Sequence, residues 1–281
     1  MAGGVGSRLF PLSTPEHPKQ FLDLLGCGKS LIRLTYERFL EVSHDAVFWV
    51  VTSASYTHFV EEQIPEIPAS NILAEPASRN TAPCIAYACR KISVKDPDAN
   101  IIVAPSDAYI PDAAAFAQTM RAALRFTAGT DAIVCVGIKP RFPHTGYGYI
   151  QAPAVTGHPV KVVSFKEKPD AELARKYLEE GGFWWNAGIF VWSARTIEEE
   201  LRSHAPQICD IMDYLEPFLY TEDEQEALSS LFPKCEKISI DYAVMEKSSR
   251  VYTIAAEWDW SDLGSFEAIE SITGKDPRKS L

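Results

Sequence analysis

The chain has 281 residues, 46% of them hydrophobic, with 27 Lys and Arg against 38 Asp and Glu and a formal net charge of -11. That length buries a substantial core and suits one main α/β body, while the acid excess argues against a general nucleic-acid binder, whose affinity rests on many cations neutralising phosphates; any anion site must be local. Six cysteines without a C-x-x-C pair read as free thiols of a reducing cytosol, and with no signal peptide and no apolar run of about 18 residues the chain is expected to be soluble, cytoplasmic and free of membrane contact.

Three glycines, Gly3, Gly4 and Gly6, open the chain ahead of Arg8, with Lys19 downstream. A helix is predicted over about Ser30 to Val42, a strand over Ala46 to Thr52, and a second strand, Asn71 to Ala74, leads into a helix over Thr81 to Lys95. The apolar run Ile101 to Ala104 is the best candidate for a buried strand, Asp112 caps the helix after it, and Ala132 to Gly137 is the next strand. Alternation of short β-branched runs with helical patterns predicts strand-helix-strand units around a parallel sheet. The segments Gly148 to Gln151 and Val160 to Lys166 follow without a helix between them, which calls for a mixed sheet or a β-rich insertion. A strand over Ala187 to Trp192, a helical region from about Thr196 to Leu231 and a last strand over Val251 to Ala256 complete the body. The fold class is therefore α/β, a Rossmann-like, mostly parallel mixed sheet flanked by helices. Its first strand is expected to be missing, because such folds launch the glycine loop from a central strand and this chain opens on the loop.

Glycines let backbone N–H groups approach phosphate oxygens, and Arg8 and Lys19 could neutralise a polyphosphate. The stretch fails two commoner templates: the dinucleotide fingerprint would need a glycine at Leu9, and Gly28-Lys29-Ser30 would need one at Asp23 to form a P-loop. Alone, it is equally a flexible terminus with a turn. Asp107 closes the strongest strand, where open sheets place ligands and where a carboxylate suits Mg2+, although a lone Asp there is also a common cap or turn residue. Asp262 is a second candidate metal ligand, or else the cap of a helix starting at Ser265. Glu167-Lys168 and Asn186 end or precede strands and could meet sugar hydroxyls or a phosphate, though an exposed Glu-Lys pair is usually a solvated face. The histidines are scattered and no nucleophile elbow is present, so a hydrolase triad is not expected.

Taken together and in this order, the motifs resemble the sugar nucleotidylyltransferase family, in its mannose-using guanylyl branch. The carriers are Gly3 to Leu12 with Pro18 to Phe21, Glu75-Pro76 with Arg79-Asn80-Thr81-Ala82-Pro83, Pro105-Ser106-Asp107, Thr145 to Ile150, Phe165 to Pro169, Trp185 to Phe190, Ser239 to Glu246, and Trp260 to Gly264. The resemblance implies the nucleotide-diphospho-sugar transferase fold and transfer of GMP from GTP to α-D-mannose 1-phosphate, giving GDP-mannose and pyrophosphate with Mg2+ as cofactor. It implies that Gly3, Gly4, Gly6, Arg8 and Lys19 engage the triphosphate and that Glu75, Asn80 and Thr81 surround the guanine. Asp107 and Asp262 would hold Mg2+, Gly148, Glu167 and Asn186 would contact the mannose, and Lys168 would grip its 1-phosphate. The whole chain, 1–281, would be a single domain with a nucleotide-binding half over about 1–138 and a sugar-binding half over about 139–281. The β-rich carboxyl-terminal part of relatives would be absent, and a homodimer is compatible. The alternatives are another base or sugar on the same fold, or a non-catalytic homologue that binds GDP-mannose.

Overall fold

The computed structural model describes residues 1–4, 6–153 and 157–280; Val5 of the glycine stretch lies outside them. The main elements are α1 (Leu31–Leu40), β1 (Val50–Ser53), α2 (Thr57–Gln63), β2 (Ile72–Glu75), α3 (Thr81–Lys95), β3 (Asn100–Val103), α4 (Ala113–Thr127), β4 (Ile133–Ile138) and β5 (Tyr149–Gln151). They continue with β6 (Val160–Lys161), β7 (Ser164–Lys166), α5 (Ala171–Glu180), β8 (Phe183–Ser193), α6 (Ala194–His204), α7 (Pro206–Leu215), α8 (Glu224–Leu231), β9 (Val251–Ala255) and α9 (Phe266–Thr273). Among the described residues no strand precedes β1, and no helix is long and apolar enough to cross a membrane.

The chain forms two compact units built from separate stretches. The first comprises Met1–Ala74, Pro105–Gln118 and Trp258–Leu281. Its core gathers Phe21, Ile32, Val50, Tyr56, Val60 and Ile64 between α1, α2 and β1, and a second cluster gathers Leu9, Leu31, Leu263 and Ile269. Met1 and Ala2 are held in strand-like fashion: the Ala2 N–H donates to the Val51 carbonyl at 2.8 Å, and the Met1 carbonyl accepts from the Ser106 N–H at 3.1 Å. Two residues thus satisfy backbone groups on both sides, which limits the cost of leaving them unpaired.

The second unit, Glu75–Ala104 and Thr119–Glu257, carries a seven-stranded mixed sheet in the order β6-β9-β4-β8-β5-β7, with β3 also pairing β8. All six β4 residues are buried, as expected of a strand covered on both faces. Antiparallel pairing is more extensive than strand-helix alternation suggests, because the 11-residue β8 lies antiparallel to β3, β4 and β5, while β4 and β9 are parallel. One edge of β8 serves two strands, β5 over Phe183 to Trp185 and β3 over Phe190 to Ser193.

Sequence-level elements differ from the observed ones where neighbours decide. The single strand expected over 160–166 is split, since the Val162 N–H bonds the Val251 carbonyl while the Val163 N–H turns to Gln151. The helical region after Thr196 is three helices, broken first at Pro206, which has no N–H to continue α6. Helix α5, not anticipated, starts at the Asp170 cap, whose carboxylate accepts from the Leu173 N–H at 2.8 Å.

Candidate functional site

In the first unit, apolar burial brings distant loops together. Leu9 and Leu263 bury in one cluster, and this carries their neighbours Arg8 and Asp262 into contact, Nη2 to Oδ2, at 3.4 Å. A two-way backbone bridge between Tyr109 and Ser261, 2.8 and 3.1 Å, lays the Asp107 segment beside Asp262. Lys19, only 5% exposed, lies beneath both, its Nζ 3.0 Å from Asp107 Oδ2 and also donating to the Asp262 carbonyl. Gln20 Nε2 supports the opening loop from below, donating to the Ala2 and Gly4 carbonyls at 2.9 Å each. Gly3 and Gly4 are exposed.

Gly6 is fixed by geometry. Its φ is +59°, and a Cβ there would lie 2.8 Å from Lys19 Cβ and 2.9 Å from Ser13 Oγ. Gly6→Ala is expected to lower stability by about 1–3 kcal/mol, read as an earlier denaturant midpoint with an unchanged m value.

The pair Asp107 and Asp262 fits a hard divalent cation in kind. Both carboxylates are partly exposed, 35% and 26%; Lys19 reaches the Asp107 carboxylate and the backbone carbonyl of Asp262, while the Asp262 carboxylate meets Arg8. No group of three or more acidic, His or Cys side chains suited to a metal occurs among the described residues, so substrate oxygens would have to complete the shell.

In the second unit, β2 ends at Glu75, whose carboxyl is pushed up to about 7, chiefly by burial. Its Oε1 is buried without a hydrogen-bond partner, and Cys84, one turn into α3, bonds to the carboxyl. The N-terminus of α3 carries Asn80, at φ +65°, whose Oδ1 accepts from the Thr81 N–H at 2.9 Å. Thr81 Oγ1 accepts from the Ile240 N–H at 2.9 Å, leaving its O–H as a donor.

A second cluster forms on β8. In its first half, Trp184, Asn186 and Gly188 are the less buried residues between buried Phe183, Trp185, Ala187 and Ile189, the alternation of a strand with one covered face. Asn186 donates its N–H to the Gly148 carbonyl at 2.8 Å. A Cβ on Gly148 would sit 2.5 Å from Glu167 Oε2, so only glycine fits unless Glu167 moves. Glu167 is 7% exposed, pairs with the Lys168 ammonium, and has its own N–H bonded to Glu246 Oε1 at 2.9 Å. Burial works to lower the Lys168 pKa, but the hydrogen bond and charge of Glu167 outweigh it and raise it overall.

Gly148, Glu167, Lys168 and Asn186 are therefore brought together. So is Asp241, to which the sequence reading assigned no role: its Oδ1 accepts from Asn186 Nδ2 at 2.9 Å. The Asp241 carboxyl is pushed up to about 6, first by burial and then by the negative charge of Glu167. An acid inside the otherwise apolar run Ile240 to Met245 was the available signal. Beside Asn186, the Trp185 ring packs edge-on against Phe142 at 5.0 Å and Tyr147 at 5.2 Å, and His144 stacks on Tyr147 at 3.8 Å. That histidine is part of an aromatic wall.

A family model described as nucleotidyl transferase matches residues 1–279. The chain is 37% identical to alginate biosynthesis protein AlgA of Pseudomonas aeruginosa over 98% of its own length and 58% of that protein. It is also 37% identical to mannose-1-phosphate guanylyltransferase of Escherichia coli, over 98% of this chain and 59% of the relative. It thus spans about three fifths of the length of these curated relatives. Among solved structures, that of mannose-1-phosphate geranyltransferase from Thermus thermophilus superposes with a TM-score of 0.86 at 30% identity, covering 99% of this chain and 78% of the other. The mixed α/β fold expected of the sequence agrees with that similarity.

Proposed function

The chain belongs to the nucleotidyl transferase family, and from that premise we propose that it transfers GMP from GTP to α-D-mannose 1-phosphate, releasing pyrophosphate and forming GDP-mannose. The observation that carries the reading is the gathering of Arg8, Lys19, Asp107 and Asp262 beside the glycine loop, a set of charges suited to a polyphosphate. We assign Gly3, Gly4 and Gly6 to close approach of the triphosphate and Arg8 and Lys19 to its neutralisation. Mg2+, when bound, would be held by Asp107 and Asp262 and would offset charge on the phosphates. Glu75 would accept from the guanine N–H groups, with Asn80 and Thr81 beside the base. Gly148, Glu167 and Asn186 would bind the mannose, and Lys168 its phosphate. The 281 residues would work as one domain.

No general base is required. A sugar phosphate has a second pKa of about 6 and is mostly dianionic at neutral pH, so its oxygen can attack the α-phosphorus directly. The protein's task is alignment and charge neutralisation as the P–O bond to pyrophosphate breaks. The test is pyrophosphate release by the purified chain with GTP, ATP, UTP or dTTP paired with mannose or glucose 1-phosphate. Release is expected with GTP and mannose 1-phosphate; a preference for another base or sugar would reassign the substrates, and none with any pair would overturn the activity.

Glu75 makes the base assignment pH-dependent. A guanine donor edge needs the ionised carboxylate, whereas a group with a pKa of about 7 is largely protonated below neutrality. GTP affinity is expected to strengthen as pH rises from about 6 to 8, by less than tenfold per unit, and Glu75→Gln should flatten the profile. Stability of the free protein runs the other way. The folded group keeps its proton above its ordinary value of 4.5, so its contribution is full below that and is lost as pH rises towards 7.

A further inference from the structure

The Asn186 side chain is held at both ends. Its Nδ2 donates to Asp241 Oδ1 at 2.9 Å, and its Oδ1 accepts from the Gly188 N–H at 3.0 Å. A carboxamide can be turned over at little cost unless its partners forbid it. Here they do, since the flipped amide would set oxygen against the Asp241 carboxylate and NH2 against an N–H donor. Asn186 is left with one N–H and one oxygen lone pair in a set order, a donor and an acceptor side by side, which matches neighbouring hydroxyls of a sugar ring.

Asp241 is itself anchored. It opens a π-helix, Asp241–Met245, a widened turn that is rare and frequent at functional sites. The segment leading into it is tied to the start of α3: Ala82 N–H to the Ile238 carbonyl at 3.1 Å, and Ile240 N–H to Thr81 Oγ1 at 2.9 Å. At the other end, Glu246 Oε1 takes the N–H of Glu167. The segment 238–246 therefore holds Asn186 through Asp241 and Glu167 through Glu246.

We propose that Asp241 is a positioning residue for sugar recognition, fixing the Asn186 carboxamide in the one orientation that presents its remaining donor and acceptor to the sugar. This rests on the assignment of Asn186 to the sugar phosphate. Asp241 need not touch the ligand; it acts through Asn186. A carboxylate is suited to this because it only accepts, whereas an amide at 241 could itself turn over.

The test is calorimetric binding of mannose 1-phosphate and, separately, of GTP, to the wild-type chain, Asp241→Ala, Asp241→Asn, Asn186→Ala and the double variant Asp241→Ala with Asn186→Ala. Asp241→Ala is expected to weaken mannose 1-phosphate binding by about tenfold, and Asp241→Asn, which keeps an acceptor, by about threefold or less. GTP binding should stay within about twofold in each, and the double variant should bind no worse than Asn186→Ala alone, because both changes remove one interaction. Unchanged binding by Asp241→Ala, additive losses in the double variant, or equal losses for GTP would overturn the positioning role. Wild-type chain that shows this coupling but releases no pyrophosphate would leave it standing and sink the proposed transfer. A wild-type chain that binds no mannose 1-phosphate would remove both.

Discussion

Arg8→Ala is expected to lower GTP-dependent pyrophosphate release by about 10³-fold, the scale on which arginines stabilise phosphoryl-transfer transition states. The guanidinium is 67% exposed and its contact with Asp262 is long at 3.4 Å, so little folding free energy depends on it. Leu9 supplies the burial that seats the loop, being 1% exposed in the cluster with Leu263. The melting temperature should therefore stay within about 2 °C of wild type, since exposed substitutions cost within about 0.5 kcal/mol. Arg8→Lys keeps the charge but loses the planar fork, and should recover only part of the rate. A variant lacking Arg8 that released pyrophosphate at near wild-type rates would remove this residue from the chemistry.

Asp107→Asn should be comparably damaging, by about 10²- to 10³-fold in rate, for a different reason. The amide keeps the shape of the carboxylate and can still accept from the Lys19 ammonium, but it lacks the charge that a hard cation requires. Lys19 keeps its second partner, the Asp262 carbonyl, so the fold should survive. The signature is a rise in the Mg2+ concentration for half-maximal rate together with a lower plateau, while chelation with EDTA should abolish release by the wild-type chain. If Asp107→Asn showed the wild-type Mg2+ curve, Asp107 would be no metal ligand and its pairing with Lys19 purely structural.

Much of the local structure is written in short-range chemistry. Helix α3 spans Thr81–Lys95 as its pattern predicts, because Asn80 caps it and Ala82, Ile85, Ala86 and Cys89 supply one buried face. Asp112 caps the helix it precedes, as the sequence predicts, its carboxylate accepting from the Ala115 N–H. The last helix, by contrast, is capped by Ser265, which accepts from the Ala268 N–H, while Asp262 accepts from the Gly264 N–H and is not the cap. The Asp112 cap is legible because donor and acceptor lie within one turn. Strand ends and register were less legible. β8 starts at Phe183 rather than Ala187, since Phe183 to Trp185 pair with β5, and Trp185 also with β4, partners far away in sequence.

The motifs, taken together and in their order, were enough to point to the family and the α/β fold class by resemblance, although each of them alone kept an ordinary structural reading. Only the tertiary structure decided which of them meet. The burial of Leu9 with Leu263 joins Arg8 to Asp262, the 5% exposure of Lys19 sets its charge beneath two aspartates, and the π-helix at Asp241 locks Asn186. Such contacts close long loops, and their free energy comes from packing that no local window of sequence contains.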